Sequence, residues 1–187
     1  MHAQIPLHGE GKPDPQGLQS WIDLPAKDKG IDPLYQEMLS KDITTVHPSA
    51  DVEITVISGK SHGEQGPVRP VGGCWYLDFK LKKKGAKVFQ PLPKGWTGLI
   101  YVLPGGLRID DDAAEQETGV GLESTEGILT RGVLIAGEPL QQFVVQYEPF
   151  VTTSTEEARQ AIQDCKLDPP SGYPAGIDGD SSTSSKR

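Results

Sequence analysis

WYLDFKL, residues 75–81, alternates large apolar side chains with polar or amphipathic ones. That period of two is typical of a β-strand with one face on a core and the other in water. DVEITVIS, residues 51–58, alternates in the same way, is rich in β-branched residues and ends at Gly59. WTGLIYVL, residues 96–103, repeats the pattern before a turn. These segments predict an antiparallel sheet.

The segments around this sheet predict further turns. Pro104-Gly105-Gly106 has strong turn chemistry, which predicts a hairpin between residues 96–103 and 107–109. Residues 110–126 are acidic, contain glycine and have few large apolar side chains, so they are interpreted as a long surface loop. Strand pattern then resumes at Ile128.

The two ends of the chain differ from its middle. LQSWIDL, residues 18–24, alternates with period two and predicts a half-buried strand. Ser154-Thr155-Glu156-Glu157 has the form of a capping box, and apolar residues follow it at helical spacing up to Cys165. This predicts one amphipathic helix near the end of the domain.

Composition limits the fold and the classes of partner. The 187 residues suffice for one domain with appendages, and 22 glycines with 16 prolines favour short strands joined by turns. The formal net charge of −8 opposes direct binding to nucleic acid. There is no apolar run near the length of a membrane span, and Cys74 and Cys165 have no metal or disulfide spacing. We therefore expect a cytoplasmic or nuclear protein with reduced thiols that binds no membrane.

Motifs for catalysis are poorly formed in the sequence. His2, His8, His47 and His62 are scattered through segments interpreted as loops, whereas a three-histidine metal site draws its ligands from adjacent strands. No nucleophile elbow, zinc-protease motif or phosphate-binding loop is present. We assign no catalytic or cofactor-binding residue.

A series of phrases in the same order resembles the pirin family. The resemblance covers residue 2 to about residue 165 and rests on HAQIP (residues 2–6), LQSWIDLPAKDKGIDPLYQ (18–36), YLDF (76–79), QPLPKGW (90–96), LIAGEPL (134–140) and PFV (149–151). It implies a cupin (RmlC-like jelly-roll) antiparallel β-barrel with one C-terminal helix, which corresponds to the second barrel of a bicupin.

The family resemblance also implies a metal site, in the first barrel only. There an iron is held by three histidines and one glutamate. His2 matches the third histidine, Gln4 stands at the glutamate position, and the first two histidines belong to a segment upstream of the phrase with which this sequence opens. One imidazole and one neutral amide are too few and too weak for a closed iron site. We expect no bound metal or other cofactor.

The resemblance divides the sequence into three parts. Residues 1–45 are predicted to be a remnant of the N-terminal barrel and the crossover between barrels, and residues 46–166 the C-terminal cupin barrel. Residues 167–187, rich in proline, glycine and serine, are predicted to be a disordered tail.

Three functions remain open from the sequence. Members of the family are described as nuclear or cytosolic cofactors of transcription factors, so the leading hypothesis is a metal-free binding or regulatory cupin. Its surface would be apolar residues of the crossover, Leu18, Trp21, Ile22 and Leu24, covered by a protein partner or a second copy. The alternatives are an iron-dependent enzyme of the quercetin 2,3-dioxygenase type and a truncated, non-functional fragment. Iron content and flavonol turnover distinguish the first two.

Overall fold

The fold consists of short antiparallel strands followed by one helix, which confirms the all-β prediction with a C-terminal helix. The computed structural model describes residue 11 and residues 17–110, 118–147 and 150–167. Within these residues the strands are β1 (Thr44–Ser49), β2 (Val52–Ser58), β3 (Lys60–Ser61), β4 (Glu64–Gln65), β5 (Trp75–Leu81), β6 (Lys87–Pro91), β7 (Thr97–Val102), β8 (Leu107–Asp110), β9 (Gly119–Ser124), β10 (Thr130–Gly137), β11 (Val145–Tyr147) and β12 (Phe150–Thr152). The helix is α1 (Thr155–Leu167), and short 3-10 turns occupy Ala26–Asp28 and Ser40–Asp42.

The chain divides into two units, each with its own internal contacts. The larger is Ile22–Gln142, and the smaller combines Met1–Trp21 with Phe143–Arg187. Strands β1 to β10 belong to the larger unit, while the β11–β12 hairpin and α1 belong to the smaller one.

The larger unit is built on a five-stranded antiparallel sheet in the order β1-β2-β5-β10-β7. WYLDFKL is its central strand, β5, and its Leu77, Phe79 and Leu81 are at most 1% exposed. In the sheet, Phe79 lies between Ile54 on β2 and Gly132 on β10. The period-two prediction for residues 51–58 and 75–81 is therefore confirmed.

A second sheet, in the order β6-β9-β8, supplies the other side of the core. Val88, Val120 and Leu122 from this sheet pack in one cluster with the inward residues of β2 and β5. The predicted loop over residues 110–126 is wrong in this part, because Gly119–Ser124 forms the central strand of the sheet. A Cβ at Gly119 would lie 2.5 Å from the carbonyl oxygen of Gln90, so the glycine that weakens the strand pattern is what lets β6 come close.

The predicted hairpin between residues 96–103 and 107–109 is also wrong. β7 pairs with β10 in the five-stranded sheet, and β8 pairs with β9 in the other. Gly105 has a φ of +89°, and a Cβ there would lie 2.4 Å from Thr130 Oγ1. The turn at residues 104–106 therefore packs over Thr130 and carries the chain from one sheet to the other.

A small hairpin, β3–β4, closes one part of the barrel through a buried polar network. His62 and Gly63 have φ angles of +46° and +86°, the values of a type I′ turn. Ser61, which is 2% exposed, donates a hydrogen bond of 2.7 Å to Gln90 Oε1. Gln90 Nε2 donates to the carbonyl oxygens of Lys60 and Pro91 at 3.1 and 2.8 Å. These bonds offset the cost of burying the Gln90 amide.

The smaller unit confirms the predicted helix. Ser154 Oγ accepts a hydrogen bond of 3.2 Å from Glu157 N–H, as expected for an N-cap.

The strand predicted over residues 18–24 is wrong, since residues 17–25 have no regular secondary structure. Alternation alone does not make a strand where no neighbouring strand supplies hydrogen bonds. No described helix is long and apolar enough to cross a bilayer.

An ionic cluster on the outer face of the sheet gives stability a pH dependence. Glu53 accepts a hydrogen bond of 2.6 Å from Lys80 Nζ, and Lys82 Nζ and His47 Nε2 each lie 3.7 Å from its other oxygen. The hydrogen bond to Lys80 is the largest cause that lowers the pKa of Glu53, against a smaller opposing effect of desolvation.

We expect Glu53→Gln to reduce the amount of folding stability that is lost when the pH falls into the acidic range. Because the pKa of Glu53 is lower in the folded state, its contribution is full above the unfolded glutamate pKa of about 4.3 and is lost as the pH falls below it. Urea unfolding at about pH 7 and about pH 3.5 should show a smaller loss of stability in the variant than in the wild type. Glu64→Gln, at an exposed position, is the matched control. An equal loss in the wild type and Glu53→Gln would contradict the assignment.

Candidate functional site

The candidate site is an open apolar groove of about 610 Å³ on the larger unit. One wall is the segment 22–36, which contributes Ile22, Leu24 and Leu34. The other wall is the loop 68–71, which contributes Val68 and Val71. Both walls lie outside the regular strands, so their positions depend on side-chain and loop contacts.

One amide holds the first wall in place. Gln142 Oε1 accepts a hydrogen bond of 2.8 Å from Ala26 N–H. Its Nε2 donates to Leu24 O at 3.0 Å and to Asp23 Oδ2 at 3.1 Å. A single side chain thus fixes the backbone just before and within the first 3-10 turn, from a position more than a hundred residues away in the sequence.

The second wall is anchored at the C-terminal end of β2. Val68 N–H donates to Ile57 O at 3.1 Å, and Gly66 N–H donates to Gly59 O at 3.0 Å. Gly72, just beyond the loop, has a φ of +83°, and a Cβ there would lie 3.1 Å from Pro25 Cδ. Glycine at this position allows both the turn and the close approach of the two walls.

The rim of the groove is both apolar and charged. Leu34 and Tyr35 are 78% and 88% exposed. Lys29 forms an ion pair with Asp23, and the Arg69 guanidinium donates to Gly66 O. An apolar groove bordered by charged side chains has the composition of a protein-binding patch.

The structure brings together only part of the surface predicted from the sequence. Ile22 and Leu24 line the groove. Leu18 and Trp21 are 50% and 75% exposed but belong to the smaller unit. The contribution from Val68 and Val71 has no signature in the sequence, because only the folded chain brings that loop beside residues 22–36.

The residues considered for a metal site do not assemble one in the described structure. His2 and Gln4, which the sequence resemblance aligns with two ligand positions of an iron site, and His8 lie outside the described residues. His47 lies beside Glu53, and His62 Nδ1 is 2.9 Å from Ser61 Oγ, where burial lowers its pKa. Among the residues that the structure describes, no three His, Cys, Asp or Glu side chains lie close enough to hold a metal ion. These donors do not fit an iron centre.

The interior between the two main sheets is filled by hydrocarbon. Eleven buried apolar residues form one cluster there. The buried side chains that carry oxygen or nitrogen are all hydrogen-bonded within the described parts of the chain.

Gln142→Ala is expected to release the first wall of the groove. The change removes three hydrogen bonds of one side chain, and we expect it to lower the free energy of unfolding by about 1–3 kcal/mol. Residues 23–26 should also gain hydrogen-exchange rate, while β5 keeps its protection. Gln141→Ala, at the exposed neighbouring position, is the control. Unchanged exchange at residues 23–26 would show that the wall is held by other contacts.

Comparison with known proteins places this geometry in a family context. Residues 76–167 match the model of the pirin C-terminal cupin domain, which confirms the predicted cupin fold. Human pirin is 40% identical in an alignment 177 residues long, which covers 88% of this chain and 59% of the human protein. A pirin-like protein of tomato, Solanum lycopersicum, is 34% identical in an alignment 178 residues long, which covers 89% of this chain and 60% of that protein. The chain thus spans about 60% of the length of these curated relatives.

A solved structure shows the same architecture. The quercetin 2,3-dioxygenase of Acinetobacter baumannii superposes with a TM-score of 0.68 at 27% identity. The similarity covers 79% of this chain and 54% of that enzyme.

Proposed function

Because the chain belongs to the pirin family, with residues 76–167 matching its C-terminal cupin domain, we propose that it acts as a metal-free binding or regulatory cupin of the transcription-cofactor type. The observation that carries this proposal is the contrast between the interior and the outer surface of the larger unit. Its described interior is closed by apolar side chains, whereas an apolar groove of about 610 Å³ lies open on the outside. The proposed compartment is the cytoplasm or the nucleus.

The proposed occupant of the groove is a protein partner that presents an apolar segment. Leu34 and Tyr35 together offer a large exposed apolar area, and tyrosine is among the residues that most often carry binding energy at an interface. Lys29, Asp32 and Arg69 surround the floor with both signs of charge, which favours a polar peptide backbone and mixed side chains over a purely apolar ligand.

The second candidate function is an iron-dependent dioxygenase of the quercetinase type. It is favoured by the structural similarity to the quercetin 2,3-dioxygenase of Acinetobacter baumannii. In that case iron would have to be held by groups other than the described donors.

Partner binding is tested by site-specific photo-crosslinking in cells. A photoreactive phenylalanine analogue at Tyr35 should capture a discrete partner, and capture should be lost when Gln142→Ala is added. The same analogue at Thr45, which is exposed on β1, is the control position. Equal capture at both positions, or capture that survives Gln142→Ala, would contradict docking in the groove.

The enzyme alternative is tested on the purified chain. After incubation with Fe(II) under anaerobic conditions, the wild type and His2→Ala should retain the same substoichiometric iron, and quercetin absorbance should persist in air. Stoichiometric iron that is lost in His2→Ala, together with flavonol consumption, would establish the enzyme and overturn the proposal.

A further inference from the structure

The four edge strands of the two main sheets are not equally protected against pairing. Three of them carry residues that discourage the addition of another strand: Pro48 in β1, Lys87 and Pro91 in β6, and Arg108 and Asp110 in β8. Proline and charged side chains are the usual protection of a sheet edge. β7, with the sequence TGLIYV, has neither.

The backbone of β7 directs a row of polar groups toward this open edge. Leu103 N–H donates to Arg131 O at 2.8 Å, which fixes the phase of the antiparallel pairing with β10. Since only alternate residues of such a strand bond to the same neighbour, Tyr101 and Leu99 also bond to β10. The backbone N–H and C=O groups of the intervening residues point toward the open edge. These residues are Gly98, Ile100 and Val102. No strand in the described parts of the chain pairs with that edge.

The side chains of β7 make the same edge apolar. Leu99 and Tyr101 are 63% and 55% exposed on the outer face of the sheet. The sequence has no charged residue from Gly95 to Leu107. An unpaired, uncharged and apolar edge is the structural feature that favours pairing with another strand.

We propose that β7 pairs antiparallel with β7 of a second copy of this chain, so that the two five-stranded sheets form one continuous sheet. This interface is separate from the groove. Its two-fold axis passes beside Ile100, which bonds to Ile100 of the second copy, while Gly98 bonds to Val102 on each side.

A second copy fits this edge because β7 is complementary to itself. In the register centred on Ile100, Leu99 of each copy faces Tyr101 of the other, in the closer, non-hydrogen-bonded type of cross-strand pair. Pro93 and Pro104 then lie just outside the paired segment on both sides. Although each chain has a net charge of −8, the paired segment brings no like charges together.

The first test removes one backbone N–H that points toward the open edge of β7, and it leaves the hydrogen bonds inside the chain in place. Gly98→Pro deletes the donor at the open edge, and the space for a Cβ there is ordinary, with Leu134 and Leu92 at 3.7 Å. Gly98→Ala adds a side chain of similar reach but keeps the N–H, so it is the matched control. By analytical ultracentrifugation, the wild type and Gly98→Ala should be dimers, and dimerisation of Gly98→Pro should be at least about tenfold weaker.

The second test determines the register of the pairing between the two β7 strands by disulfide formation, in a Cys165→Ser background. The double variant Leu99→Cys/Tyr101→Cys should form intermolecular disulfides in a glutathione buffer, because these positions face each other about 4.5 Å apart in Cα. Leu99→Cys alone should not, because two copies of residue 99 are diagonal neighbours about 7–8 Å apart.

Three results would overturn the proposal. These are a wild-type chain that stays monomeric at concentrations on the order of 100 µM, a dimer that Gly98→Pro leaves unchanged, or efficient cross-linking of Leu99→Cys alone. Loss of the dimer in Gln142→Ala but not in Gly98→Pro would assign self-association to the groove instead. Photo-crosslinking at Tyr35 is independent of this interface, so the two proposals fail separately.

Discussion

Phe79→Ala is expected to lower the free energy of unfolding by about 3–5 kcal/mol. Phe79 is 1% exposed and occupies the middle of the central strand, between Ile54 and Gly132. The ring packs directly on Gly132, where an added Cβ would lie 2.7 Å from Phe79 Cζ. Because Gly132 has no side chain to move into the vacated space, truncation of the ring should leave a cavity that relaxes little.

Urea or guanidinium unfolding monitored by circular dichroism measures this loss. Phe143→Ala makes the same chemical change at a side chain that is 87% exposed, and it should cost less than about 0.5 kcal/mol. If both variants lost the same stability, the packing of β5 would not be the source of the effect.

Gly59→Ala is expected to cost about 2–5 kcal/mol, from two separate sources. Gly59 has a φ of +89°, which costs an L-residue about 1–2 kcal/mol. The added Cβ would lie 2.2 Å from Cγ of Trp75, so the indole would have to move, at a cost of about 1–3 kcal/mol. Trp75 packs edge-to-face on Trp96 with ring centroids 5.7 Å apart, so its displacement would disturb both rings.

A double-mutant cycle separates the two sources. In a Trp75→Leu background the clash should be relieved, and Gly59→Ala should then cost only the backbone strain. Gly85→Ala, which has a φ of +77° and no atom within 4 Å of the added Cβ, measures that strain alone. A cost of Gly59→Ala that does not fall in the Trp75→Leu background would rule out the clash.

The parts of the fold predicted correctly are those whose signal is local. β2 and β5 alternate over seven residues each with large apolar side chains, so their faces are evident from the sequence. β9 lacks such a signal because Gly119 and Gly121 alternate with its inward Val120 and Leu122. Gly119 reflects the proximity of β6, which is a tertiary fact. The turn at residues 104–106 has hairpin chemistry, but contact with Thr130 directs the chain into the other sheet.

The candidate site was predictable only in part for the same reason. The apolar character of Ile22 and Leu24 is visible in the sequence, and both residues line the groove. The opposite wall depends on hydrogen bonds between residues 66–68 and β2, and the position of the first wall depends on Gln142. Hydrogen bonds between distant residues leave no periodic signature in a sequence.

The hydrogen bonds of the Gln142 side chain also affect the order in which the parts of the molecule fold. Its bonds to Ala26 and Asp23 span 116 and 119 residues, so they close a loop that contains the whole barrel. Loop closure of that length is entropically costly until the intervening strands have already brought the two ends together. The wall that carries Ile22 and Leu24 should therefore dock last during folding and detach first during local unfolding. A partner that binds this wall would therefore bind only those molecules in which the barrel has already folded.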